Sequence, residues 1–269
     1  MTRDPHTRSV PADQAAGLRR LFATRAPRFV PVVSNPFLAF GGVLIERLCS
    51  AVTDMGQHVL VVDAGERAPK PRELASIDLA DGIETLAPGV SYLAAPGLTV
   101  RYVDSRGSTR AFLDGVADAA PFAQVVLVHA SATELARLFS HADPGLAPPR
   151  PLLLCDDRPE GMTQAYTSLK LLAQRAQWKA HDLLMCAGAG SPRAPQVAQR
   201  LAQCAESFLG GVQRAWVRVD PAESAITNPS SDLARLVREL VDAAPPHAAG
   251  EPSACDAEWA ALPAARTRL

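Results

Sequence analysis

The side chains with chemistry to offer stand at the ends of apolar runs. FVPVV runs into Ser34, VLVV into Asp63, QVVLV into His129, and LLLC into Asp156 and Asp157. Ser34 opens SNPFLAFGGV, residues 34–43, with an apolar run before it and a helical pattern after it. That is the layout of a phosphate-binding loop. Such a loop needs glycines whose backbone N–H groups face phosphate, a lysine to neutralise it, and a Ser or Thr for magnesium. Here Pro36 removes a donor and fixes φ. Phe37 and Phe40 add bulk where backbone must approach closely. No lysine lies between residues 34 and 69, and Gly42 and Val43 bring no hydroxyl after the glycines. Gly41 and Gly42 retain the freedom for a tight turn into the helix. The loop reads as a remnant, apolar enough that it is expected to fold over and fill an emptied site.

The other run ends agree. Asp63 is followed by Ala64 and Gly65 rather than by further acids. His129 stands where a magnesium-linked or water-orienting carboxylate would sit. As a general base it has no nucleophile near it in sequence, so a satisfied strand-end histidine is the expectation. Asp156 and Asp157 could hold Mg²⁺, but without a phosphate ligand they are expected to cap the following helix. A working site would have to borrow its cation from Arg67 or Lys70. Lys170 lies in a helical pattern and takes no catalytic role.

Around these residues β and α patterns alternate. Strands are expected at 28–34, 58–64, 90–97, 123–130, 150–157, 181–189 and 212–220. Helices are expected at 41–56, 105–120, 133–142, 161–178, 195–210 and 230–244. Continuous apolar strands between helices predict an α/β fold, a mostly parallel sheet with helices on both faces. Upstream, ADQAAGLRRLFATR (residues 12–25) reads as a short helix capped by Asp13. Its Ala15, Leu18, Leu21 and Phe22 share a face, with Arg19, Arg20 and Arg25 off it. The expected organisation is an N-terminal segment (1–27), an α/β domain (28–243) and a disordered Ala- and Pro-rich tail (244–269).

Composition sets the outer limits. The net charge is −1 over 269 residues, so nothing in bulk favours nucleic acid. Five scattered cysteines without a CxxC pair point to a reducing compartment and no structural zinc. The first residues lack the apolar core of a signal peptide, and no run is long enough to span a bilayer. The expected location is the cytoplasm.

Three stretches carry a resemblance. Residues 13–21, DQAAGLRRL, are similar to an N-terminal DQAxxLRxL helix. Residues 81–97, DGIETLAPGVSYLAAPG, also fit, and QAYTSLKLL (164–172) is similar to a DAYxxIKxL helix. Together they resemble the MinD/ParA-like P-loop ATPases, and within them the flagellar number regulators known as FlhG, FleN or YlxH. The likeness covers roughly residues 12–243. Laid on the family's SGKGGVGKT loop without a gap, Ser34 takes its serine, Pro36 the signature lysine, Gly41 the phosphate lysine and Gly42 the magnesium threonine. Asp63 falls on the first aspartate of the family's DAD, Gly65 on the second, and His129 on the aspartate of the third motif.

The resemblance implies a MinD-type fold. Intact members take ATP and Mg²⁺; with these substitutions no cofactor is expected here. It also implies a partner, the flagellar signal-recognition-type GTPase FlhF. Residues Asp13, Gln14, Leu18, Arg19, Leu21 and Phe22 would form the helix that binds and activates it. Flagellar switch, C-ring or transcription factors are further implied partners, with recruitment to the cell pole or inner membrane face and at most peripheral membrane contact. Two alternatives stay open: a divergent but active ATPase, and an accessory protein of another envelope machine such as cellulose secretion.

Overall fold

The computed structural model describes residues 26–73, 75, 78–140, 148–223 and 229–247. The expected helix at 12–25 and residues 248–269 of the expected tail lie outside them. Eight strands form one sheet. They are β1 (Arg28–Val33), β2 (Val59–Asp63), β3 (Ile83–Ala87), β4 (Val90–Ala94), β5 (Val125–Ala130), β6 (Leu152–Asp156), β7 (Ala180–Cys186) and β8 (Val212–Val219). Among the described residues six α-helices accompany them: α1 (Gly41–Thr53), α2 (Ala111–Ala119), α3 (Ala132–Leu138), α4 (Pro159–Arg175), α5 (Arg193–Leu209) and α6 (Ser231–Ala243).

The sheet order is β3-β4-β2-β5-β1-β6-β7-β8. Every pairing is parallel except β3 with β4. Continuous apolar runs such as VLVV and LLLC suit strands buried on both faces. Alternate side chains feed two cores. Phe29 and Val33 of β1 join the core under α2, α3, α4 and α5. Val30 and Val32 join the core under α1 and α6. Pro31 sits mid-strand without cost to the next ladder, because β6 pairs with β1 only from Val32 onward.

Three local expectations change. The helix expected over 105–120 begins only at Ala111. Before it, Asp104 Oδ1 accepts the N–H groups of Arg106 and Ser108, holding a turn that competes with helix. A strand not anticipated, β3, forms an antiparallel edge hairpin with β4 around Gly89, whose φ of 77° needs glycine. The body also continues past 243. Pro246 bridges to Arg28, the His247 N–H donates to the Pro27 carbonyl at 2.9 Å, and its ring meets Phe29 at 4.7 Å.

Cys49, Cys155 and Cys186 are buried free thiols, as their apolar surroundings suggested. Burial pushes the thiols of Cys49 and Cys155 up to about 12, far from reactivity. Among the described residues no helix is long and apolar enough to cross a membrane.

Candidate functional site

The strand ends of β1, β2 and β5 lie side by side, with Val32 opposite His129 and His129 opposite Asp63. The sequence-predicted residues Ser34, Pro36, Gly41, Gly42, Asp63 and His129 therefore line one cleft of about 750 Å³. Its floor is the sheet and one wall is α1.

Three backbone donors of the loop from Ser34 to Phe40, those of Ser34, Phe37 and Leu38, are engaged within the fold. The Ser34 N–H donates to the Ala130 carbonyl, and the Leu38 N–H to the Asn35 carbonyl. The Asn35 side chain accepts the Phe37 N–H at 3.1 Å and donates to the carbonyls of Leu154 and Gly161 at 3.1 and 3.0 Å. Two arginines from other loops hold carbonyls of this loop: Arg158 donates to Phe37 O, and Arg67 to Leu38 O at 3.3 Å. A phosphate cradle needs the reverse polarity, free N–H groups aimed at the ligand. The α1 N-terminus has no side-chain cap.

The loop does not fill the cleft, contrary to expectation. Phe37 and Phe40 stand 50% and 53% exposed. The inward position goes to Leu38, which is buried beside Gly41. The Asn35 turn and the two arginine contacts fix that choice by orienting the loop backbone. Ser34 Oγ is buried on the cleft wall with no hydrogen-bond partner among the described residues.

At the neighbouring strand end the Asp63 carboxylate is fully engaged. Its Oδ1 lies 2.8 Å from His129 Nδ1 and accepts the Gly65 N–H at 3.0 Å. Its Oδ2 accepts the Tyr92 hydroxyl at 3.1 Å. Burial alone would raise the Asp63 pKa. The hydrogen bond and charge interaction with His129, then the Gly65 N–H and the Tyr92 hydroxyl, outweigh it and hold the carboxyl below its ordinary value. The same surroundings push the Tyr92 hydroxyl up, first by burial and then by the Asp63 charge. A Cβ at Gly65 would meet His129 Cε1 at 2.9 Å and Asp63 Oδ1 at 3.0 Å, so the pair occupies the space of a side chain there. His129 is thus a satisfied strand-end histidine, as expected.

The acidic pair after β6 is a correction. Neither Asp156 nor Asp157 caps α4, which starts after Arg158 with no side-chain cap. Asp156 instead grips Arg158 at 2.6 Å and accepts its backbone N–H, beside Gly161, where a Cβ would lie 2.1 Å from Oδ1. Asp157 accepts the Ser191 hydroxyl. Asp156 thus holds the arginine that pins the loop. Of the cations proposed as substitutes, Arg67 lines the cleft with its guanidinium on the loop carbonyl. Lys70 lines a separate depression with Arg72, Glu84 and Tyr92.

Sequence reasoning missed Asn35, Tyr92 and Arg158. Asn35 before a proline is a turn signal at a strand end. Tyr92 gives no such signal, because it reaches Asp63 across the β2–β4 pairing. The rest of the cleft is a long apolar groove. Gly42, Ile45, Glu46, Cys49, Ser50 and Thr53 of α1 face Val61, Leu86, Val90 and Tyr92 of the sheet.

No protein-family model and no curated protein matches the chain. Solved structures do. The MinD cell division protein of Aquifex aeolicus superposes with a TM-score of 0.52 at 12% identity, over 80% of this chain and 97% of that one. The McdA–ATP complex of Cyanothece gives 0.55 at 12%, over 81% and 97%. A plasmid partition protein of Borrelia burgdorferi bound to AMPPNP gives 0.52 at 7%, over 81% and 98%. At such identities the likeness speaks for architecture, and it agrees with the strand order and layers above: the chain has the fold of the MinD/ParA-type P-loop ATPases.

Proposed function

We propose that this protein is a MinD-like regulator of flagellar number and placement that works without ATP binding or hydrolysis. It acts by presenting Asp13, Gln14, Leu18, Arg19, Leu21 and Phe22 to the flagellar signal-recognition-type GTPase FlhF. The observation that carries the loss of ATP chemistry is the engaged Asp63, tied to His129, Gly65 and Tyr92 beside a lysine-free loop. The DQAAGLRRL stretch supports the flagellar partner through its resemblance alone. In that helix Gln14 and an arginine would reach the partner's phosphates, where one placed polar group orients water or stabilises charge. Leu18, Leu21 and Phe22 would anchor it. The protein would act in the cytoplasm, at the pole or the inner membrane face.

A divergent ATPase is the second reading. The cleft of about 750 Å³ favours it, as does the nucleotide in two of the structural neighbours. Against it stand the missing lysine and the engaged Asp63 carboxylate.

The test is the GTPase rate of the cognate FlhF with and without this protein, in the absence of ATP. Stimulation that Gln14→Ala and Leu18→Asp each abolish, with the fold intact by circular dichroism, is the expected result. No stimulation, or equal stimulation by both variants, overturns the proposal.

A further inference from the structure

The cleft is polar at one end and apolar along the rest. Asp63 and His129 stand at its head, where β2 and β5 end. Below them the walls are Ile45 and Cys49 of α1 and Val61, Val90 and Leu86 of the sheet. Val90 pairs with Val59, four residues before Asp63 on β2, so the apolar stretch runs about 13 Å at 3.3 Å per residue. Its lower end is closed. A Cβ at Gly89, in the β3–β4 turn, would meet Thr53 Cγ2 at 3.2 Å. A cleft of about 750 Å³, mostly apolar with a few polar groups at one place, has the usual form of a small-molecule site.

The charges of the lining do not select an ion. Asp63 is engaged by His129, Gly65 and Tyr92. Arg47 donates to the Glu223 carbonyl and Arg67 to the Leu38 carbonyl. Glu46 and Glu66 are exposed to water. Acids and arginines therefore line the cleft together. A bare charge among the apolar walls would lose its hydration without a dedicated counter-ion.

One polar atom stays open. His129 is satisfied at Nδ1, which lies 2.8 Å from Asp63 Oδ1. The Asp63 carboxyl is held below its ordinary value, so at neutral pH it is an ionised acceptor and Nδ1 carries the proton. In the neutral ring Nε2 is then an acceptor. Gly65 closes the opposite edge of the ring, since a Cβ there would lie 2.9 Å from Cε1 and 3.1 Å from Nδ1. Nε2 makes no hydrogen bond among the described residues, and the His129 side chain keeps 17% of its surface exposed on the cleft. A hydroxyl has the donor this nitrogen lacks. A carboxylate or phosphate oxygen brings only more lone pairs.

We infer that the cleft binds an uncharged, elongated alcohol. Its hydroxyl donates to His129 Nε2, and its apolar chain lies between α1 and the β2–β4 strands, down to Val90 and Leu86. This site is independent of the segment assigned above to FlhF. GTPase stimulation is read without any such ligand, so either reading fails without the other.

Calorimetric titration of the full chain with straight-chain octanol and decanol tests this. Saturable one-to-one binding is expected, about fifteenfold tighter for decanol, because each buried methylene contributes about fourfold. Methyl nonyl ether, of decanol's length, accepts but cannot donate. It is expected to bind about tenfold more weakly than decanol, and so is decanoate. Leu86→Arg, at an exposed position, removes the gain with chain length. His129→Phe brings decanol down to the affinity of the ether, with the fold checked by circular dichroism. Should that variant not fold, the ether comparison on the parent chain makes the same discrimination. The absence of saturable decanol binding overturns the inference, as when another segment of the chain or a second copy covers the groove. So does decanoate or ether binding as tight as that of decanol, or decanol binding that survives Leu86→Arg.

Discussion

Asp63 and His129 are worth most to the fold as a pair. Removing one partner leaves the other's polar atoms in a half-buried site, which costs about 1–3 kcal/mol. His129→Ala is therefore expected to lower unfolding free energy by that amount at neutral pH, read by urea denaturation. Because the Asp63 pKa is lowered in the folded state, its stabilisation is present above the ordinary value of 3.8 and is lost as pH falls below it. His129→Ala should flatten that acid limb. A parent-like acid limb in the variant would refute the assignment. Asn35→Ala is expected to cost about 2–3 kcal/mol, since it strands the Leu154 and Gly161 carbonyls and frees the loop. Destabilisation within a few tenths of a kcal/mol would show that the anchor is idle. At this scale the sequence revealed Ser34, Asp63 and His129, because each ends an apolar run. It did not reveal that Asp63 is shared with Tyr92, or that Asp156 serves Arg158, because those contacts cross between elements.

At the scale of the element, β7 holds two neighbours with opposite pH behaviour. Burial pushes His181 down to about 4 and Asp182 up to about 6; the charge of Arg150, 2.6 Å away, only partly offsets the latter. His181 therefore costs stability as pH falls from 6.5 toward 4, where the unfolded chain takes up the proton first. Asp182 contributes stability that is present at low pH and lost as pH rises from 3.8 through about 6. The two slopes oppose each other across one window. Asp182→Asn should unmask the His181 slope, on the order of 3 kcal/mol lost between pH 7 and 4 relative to the variant's own maximum. Chemical denaturation across that range measures it, and a flat profile in Asp182→Asn would contradict it. Element identity was largely legible, since long apolar runs and amphipathic patterns fix α1, α4, α5 and α6 within a few residues. The short edge strand β3 was hidden in a Pro-rich, charged stretch, where only the turn at Gly89 marks it. The late start of α2 was hidden by the Asp104 turn, a local hydrogen-bond choice.

For the whole molecule, alternation of β and α made the parallel sheet readable, and the strand order places the cleft where the strand ends of β1, β2 and β5 meet. The openness of that cleft was not readable. Composition said that the loop is apolar, but only packing decides that Leu38 turns in while Phe37 and Phe40 turn out. A MinD/ParA-type fold here holds a cleft whose loop lacks a lysine. The proposal that the cleft takes no magnesium nucleotide rests on a lysine-free loop beside a carboxylate already engaged with His129, Gly65 and Tyr92. The most direct test is calorimetric titration of the full chain with ATP and Mg²⁺. No binding heat at millimolar nucleotide is the predicted result. A saturable magnesium-dependent isotherm with submillimolar affinity would contradict the account and restore the divergent ATPase.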